Sequence, residues 1–115
     1  MISKSLSLEA ANNLLVNLPP EEQARVVEYG AMLRLADLKG QLERAQSVIK
    51  EMSGKYHTTL AEFEREGLPD DAGYEMHEDY IMWHHYAERA ARLEKYVAAL
   101  EQALASQNLS VSNAG

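Results

Sequence analysis

The chain has no cysteine among its 115 residues, which removes disulfides, thiolate metal sites and cysteine nucleophiles together. Long apolar runs are missing as well. The opening M-I-S-K-S-L-S-L-E-A is interrupted by Glu9, and Asn12 follows, so neither a secretory leader nor a membrane span is read and a cytoplasmic protein is expected. There is no Gly-rich phosphate-cradling loop. The serines of the N-terminal segment (Ser3, Ser5, Ser7) and of the tail (Ser106, Ser110, Ser112) have no pattern linking them to a His and an acid. The chain is therefore expected not to be an enzyme and to carry no cofactor.

No basic stripe exists either. The net charge is −7, and its distribution is uneven. Between Glu62 and Asp79 stand eight acids and one base, Arg65, which accounts for the whole excess. Direct nucleic-acid binding is disfavoured by that balance. A basic partner is the natural complement, and a solvated acidic loop is the plainer alternative.

What the chain does have is concentrated. The stretch Tyr74–Tyr86, Y-E-M-H-E-D-Y-I-M-W-H-H-Y, holds three of the four His, three of the six Tyr and the single Trp. Most of the remainder is Leu, Ala, Glu, Lys, Arg and Gln, the composition of plain helix.

The length suits one domain. Leu8, Ala11, Leu15 and Leu18 predict a short amphipathic helix over 5–18, with Ser7 as its N-cap. Pro19-Pro20 ends it, and Pro20 begins the next helix with Glu21 and Glu22 at its positive end. From there Ala31, Leu35, Leu38, Leu42, Ala45, Ile49, Met52 and Tyr56 alternate four and three, a coiled-coil seam. Gly40 is read as a point where another backbone comes close, and Gly54 as the helix stop. Thr59-Leu60-Ala61-Glu62 fits a capping box, so a short helix is expected over 60–66, closed by Gly67. Leu60 and Phe63 then plug the end of the hairpin. The last helix starts after Asp70-Asp71, with the seam Met76, Asp79, Trp83, Tyr86, Ala90, Leu93, Val97, Leu100 and Leu104. Asp79 is its one polar member.

These elements predict an all-α fold: a long antiparallel helical hairpin, an N-terminal helix laid across it, and a short helix in the connection. One domain is expected over 1–105 and a disordered tail over 106–115. Val26, Tyr29, Leu33, Tyr80, Ile81 and Met82 lie off the seams. Another chain is expected to cover them, giving a homo-oligomeric helical bundle.

Two chemistries compete for the His- and Tyr-rich stretch. His77, Ile81, His84 and Glu88 share one helix face, so His77, His84 and Glu88 form a candidate metal site. The H-E-x-x-H and Glu-x-x-His signatures are absent, and the leading reading assigns no metal. The other reading makes Tyr74, Tyr80 and Trp83, with Tyr86, the core and rim of a helix interface. Glu62, Glu64, Glu66, Asp70 and Asp71 then join Tyr74, Tyr80 and Trp83 as partner-binding candidates.

The segment Leu18–Tyr29, L-P-P-E-E-Q-A-R-V-V-E-Y, resembles the "L-P-P-E-x-Q-x-x-V-x-[DE]-[FY]" helix start of small prokaryotic antitoxin-like proteins. Lys55-Tyr56, Phe63-Glu64 and the stretch Tyr74–Trp83 are also similar to small helical proteins encoded beside toxin genes. These segments cover about a third of the chain. The resemblance implies a non-enzymatic antitoxin that neutralises a basic toxin encoded nearby. No DNA-binding domain is recognised ahead of the long helix, so the implied role is toxin binding and not promoter binding.

Overall fold

The computed structural model describes residues 6–114, with side chains through Ser106. Four helices follow in order: α1 (Leu8–Val16), α2 (Pro20–Tyr56), α3 (Leu60–Glu66) and α4 (Tyr74–Ala114). No described residue is in a strand. No helix among the described residues is long and apolar enough to cross a membrane.

Local chemistry sets most boundaries. Ser7 Oγ accepts the Ala10 N–H at 3.0 Å, satisfying one of the free donors at the start of α1. Pro19 halts the chain, and its carbonyl accepts the N–H groups of Glu22 and Gln23 as α2 begins. The Gln23 side-chain amide donates to Leu18 O at 2.8 Å, tying the two helices together at their junction. Thr59 Oγ1 accepts the Glu62 N–H at 3.2 Å and starts α3 where the capping box placed it. Gly67 ends α3 at φ +77° and ψ 167°, a conformation open essentially to glycine alone.

The core is one seam. α2 packs against α4 from Leu35 onward, and among the described residues every buried one lies on one of the two stripes: Leu38, Ala45, Met52, Asp79, Trp83, Ala90, Leu93 and Val97. Leu38, Leu93 and Val97 form the apolar centre, with Leu35, Leu42 and Leu100 packed against it. Polar rungs cross on the flanks, Arg89 to Gln41 at 2.9 Å and Lys39 to Glu101 at 2.9 Å.

Four expectations need correction or restriction. The N-terminal helix is not laid across the hairpin: none of its residues is buried, and Leu8 is 79% exposed. Nine residues present too narrow an apolar stripe to cover two helices that pack mainly on each other. At Gly40, an added Cβ would meet only the tip of Arg44 at 3.7 Å, so no foreign backbone approaches there. Gly54 is not the stop of α2. The helix continues through it to Tyr56, and His57 takes the left-handed position at φ 56°, ψ 39°. Finally, α4 extends past Ala105, and the tail expected over 106–115 lies, beyond Ser106, outside the residues whose side chains are described.

The misplaced stop yields a first prediction. Gly54 costs a helix interior about 1 kcal/mol against Ala, and nothing lies within 4 Å of a Cβ added there. His57 pays for a left-handed backbone that Gly adopts freely. Gly54→Ala and His57→Gly should each raise stability by about 1 kcal/mol, measured by urea denaturation. A loss in either variant would show that tertiary contacts of these residues outweigh the backbone term.

Candidate functional site

The closed end of the hairpin gathers the aromatic and charged residues that the sequence marks out. The last turn of α2 supplies Lys55 and Tyr56, α3 supplies Phe63 and Glu64, and the opening turns of α4 supply Glu75, Asp79, Tyr80, Trp83 and His84. Helix continuation through Gly54 is what brings Lys55 and Tyr56 into place.

Trp83, fully buried, lies under Tyr56 with ring centres 6.0 Å apart and planes at 18°, and Phe63 tilts against it at 5.4 Å. Phe63 also meets the Tyr56 edge at 5.4 Å and stacks on Tyr80 at 5.9 Å. Such pairs contribute about 0.5–1.5 kcal/mol each beyond the area they bury. The aromatic box therefore holds α3 and the connection onto the hairpin. The Trp83 indole N–H is buried without a hydrogen-bond partner.

Polar groups wrap the box. Asp79 accepts hydrogen bonds from Lys55 Nζ and Tyr56 Oη, both at 2.6 Å, and Lys55 also bonds Glu75. The Lys55 ammonium, and secondarily the Tyr56 hydroxyl, hold the Asp79 carboxyl below its ordinary range. Hydrogen bonds donated to Asp79 and Glu75 raise Lys55, while burial followed by the bond to Asp79 raises the Tyr56 phenol. On the other side, Glu64 accepts from Tyr80 Oη at 2.9 Å and lies 2.9 Å from His84 Nδ1. The Tyr80 bond, then the His84 one, lowers the Glu64 carboxyl, and the shared hydrogen raises Tyr80.

The candidate residues divide accordingly. Trp83, a seam residue as well as a partner-binding candidate, is fully buried within the chain and acts as the floor of the box. Tyr80 is half-buried between Phe63 and His84. Glu62 pairs with Arg65 and Glu64 is engaged by Tyr80 and His84. Glu66, Asp70, Asp71 and Tyr74 are exposed. None of those three acids has an ion-pair partner among the described residues.

The metal triad of His77, His84 and Glu88 does not assemble. His84 lies between Glu64 and Glu88, its Nε2 3.3 Å from the latter. His77 sits two turns earlier on the same helix, about 10 Å along the axis. Among the described residues, no three His, Cys, Asp or Glu side chains come together in a way that could hold a metal ion.

Sequence reasoning missed Lys55 and Glu75 as part of this site. The available signal was Asp79, an isolated acid in an otherwise apolar seam, which requires a partner at the same level of the opposite helix.

Comparisons with family models, with curated proteins and with solved structures found no match.

Proposed function

We propose that this chain is a non-enzymatic protein-interaction module that self-associates and presents its acidic end to a basic protein partner, in the manner of a cytoplasmic antitoxin binding its toxin. The carrying observation is uncovered apolar surface. Leu14, Val16, Val26, Val27, Tyr29, Met32 and Leu33 are all exposed along α1 and the first half of α2, with Tyr29 at 68%.

Area and shape support the same reading. The accessible surface is 8979 Å², where a compact monomer of this mass exposes about 6300 Å². The radius of gyration is 20.6 Å, against roughly 13 Å for a compact chain of this length. An excess of that order is what a standard or larger protein interface removes from water. Val26, Tyr29 and Leu33 recur at three and four residues, so a second α2 laid alongside covers them as one stripe.

The expected state is a homodimer or larger at micromolar concentration. Tyr29→Glu with Leu33→Glu should shift it to monomer in light scattering while leaving the circular-dichroism helix signal in place. A wild-type chain that scatters as a monomer at that concentration would remove self-association from the proposal.

A further inference from the structure

We propose that a groove on the flank of the hairpin binds a small phosphate-bearing ligand of mononucleotide size. The groove has a volume of about 520 Å³, within the range of small-molecule sites. Gln41, Arg44 and Ser47 line it from α2, and His85, Tyr86 and Arg89 from α4. It lies apart from the aromatic box and is independent of the antitoxin reading.

Val48 and the aromatic rings make part of the lining apolar, and its polar members are rich in donors. Each guanidinium offers five N–H groups and no acceptor, and the Ser47 and Tyr86 hydroxyls add further donors, while the Gln41 amide already donates to Asp37 Oδ2 at 3.0 Å. The Gln41 carbonyl oxygen is already taken by Arg89 at 2.9 Å. No Asp or Glu lines the groove. A ligand with several strong acceptor oxygens in one place answers that inventory, and a phosphate is such a group.

The chain has eighteen carboxylates for eleven Lys and Arg, yet neither Arg44 nor Arg89 has an ion pair among the described residues. Glu88, next to Arg89 in sequence, turns to His84 instead. Two guanidiniums brought to one groove without a carboxylate repel, and a bound anion removes that cost. Arg89 is half-buried and tied to Gln41, so one fork is already oriented before any ligand arrives.

Size follows from the surroundings. His85 and the half-buried Tyr86 meet edge to face at 5.3 Å and 78°, giving the groove an aromatic wall for a ring attached to the phosphate. A long polyanion would also have to pass the acidic end. Asp79 is ten residues from Arg89, about 15 Å along α4, beyond the ~8 Å screening length. A small anion in the groove is therefore screened from that end, whereas an extended nucleic acid is not.

The test is calorimetric titration with adenosine monophosphate, inorganic phosphate and adenosine at constant ionic strength. Adenosine monophosphate should bind saturably, phosphate more weakly, and adenosine without the phosphate least. Arg44→Gln and Arg89→Gln should each weaken adenosine monophosphate by about tenfold or more, the usual effect of losing a charged hydrogen bond. Thermal melts of both variants should match wild type. Should Arg89→Gln loosen the hairpin by freeing Gln41, Arg44→Gln decides alone. Arg92→Gln, on α4 but outside the lining, should leave affinity unchanged. The proposal is overturned by no saturable binding at millimolar ligand, by equal binding of adenosine, or by Arg44→Gln binding as tightly as wild type.

Discussion

Trp83→Ala should lower the unfolding free energy by about 3–5 kcal/mol, the usual cost of deleting a large aromatic from a packed site. The side chain is fully buried and touches both Tyr56 and Phe63, so its loss empties the floor of the box beneath α3. A domain of this size has only about 5–15 kcal/mol in total, and the variant should be partly unfolded near body temperature. Trp83→Phe separates packing from polarity. It keeps an aromatic ring and removes an indole N–H that has no partner, whose burial is itself costly. That variant should lose less than half of what Trp83→Ala loses in chemical denaturation. Equal losses would mean that the indole N–H is satisfied, by water or by another chain, and contributes to stability.

The Trp83 result bears on how much of the molecule is legible in its residues. The 3.5-residue period names which side of each helix is covered, and among the described residues all eight buried ones lie on the two stripes it selects. Period alone does not give the register between helices, because sliding one stripe along the other preserves the pattern. Asp79 was therefore recognisable as an anomaly, while Lys55 and Tyr56 were not recognisable as its partners. The caps divide in the same way. Ser7 and Thr59 act through one side chain on a backbone N–H three residues away, so three letters suffice to read them. The end of α2 is fixed from across the hairpin, where Asp79 holds Lys55 and Tyr56 in an additional turn beyond Gly54.

Flank positions were the least legible. Nothing in the sequence singles out Arg44 or Arg89, and only the antiparallel packing of α2 on α4 places them in one groove. The reverse happened to the His-rich stretch. Its composition offers a metal site as the alternative reading, but a helix separates His77 from His84 by two turns and gives His84 to Glu64 and Glu88 instead. The N-terminal helix failed for a geometric reason. Its nine residues present too narrow an apolar stripe to cover two helices that pack mainly on each other.

The second large effect is expected on association with a basic partner. The structure divides the acidic segment into engaged and free groups, a distinction that sequence could not make. Glu62 is held by Arg65, Glu64 by Tyr80 and His84, and Glu75 and Asp79 by Lys55. Neutralising those alters the box as well as the field. Glu66, Asp70 and Asp71 are exposed, the first at the end of α3 and the other two on the connection to α4. The triple change Glu66→Gln, Asp70→Asn and Asp71→Asn should therefore leave the melting temperature nearly unchanged, since exposed substitutions usually stay within ~0.5 kcal/mol each. It removes three of the net seven negative charges from the end proposed to meet the partner. Electrostatic steering raises association rates by about 10–1000-fold, so the triple variant should bind a basic toxin encoded by a neighbouring gene roughly tenfold more slowly at low salt. Raising ionic strength should bring the two rates together, because the screening length contracts to ~3 Å at 1 M. Dissociation rates should change less, as the free carboxylates steer the encounter more than they hold the complex. Equal association rates at low salt would detach the acidic end from partner binding. The contact would then have to be sought on the apolar arm, where Tyr29→Glu with Leu33→Glu should slow association instead.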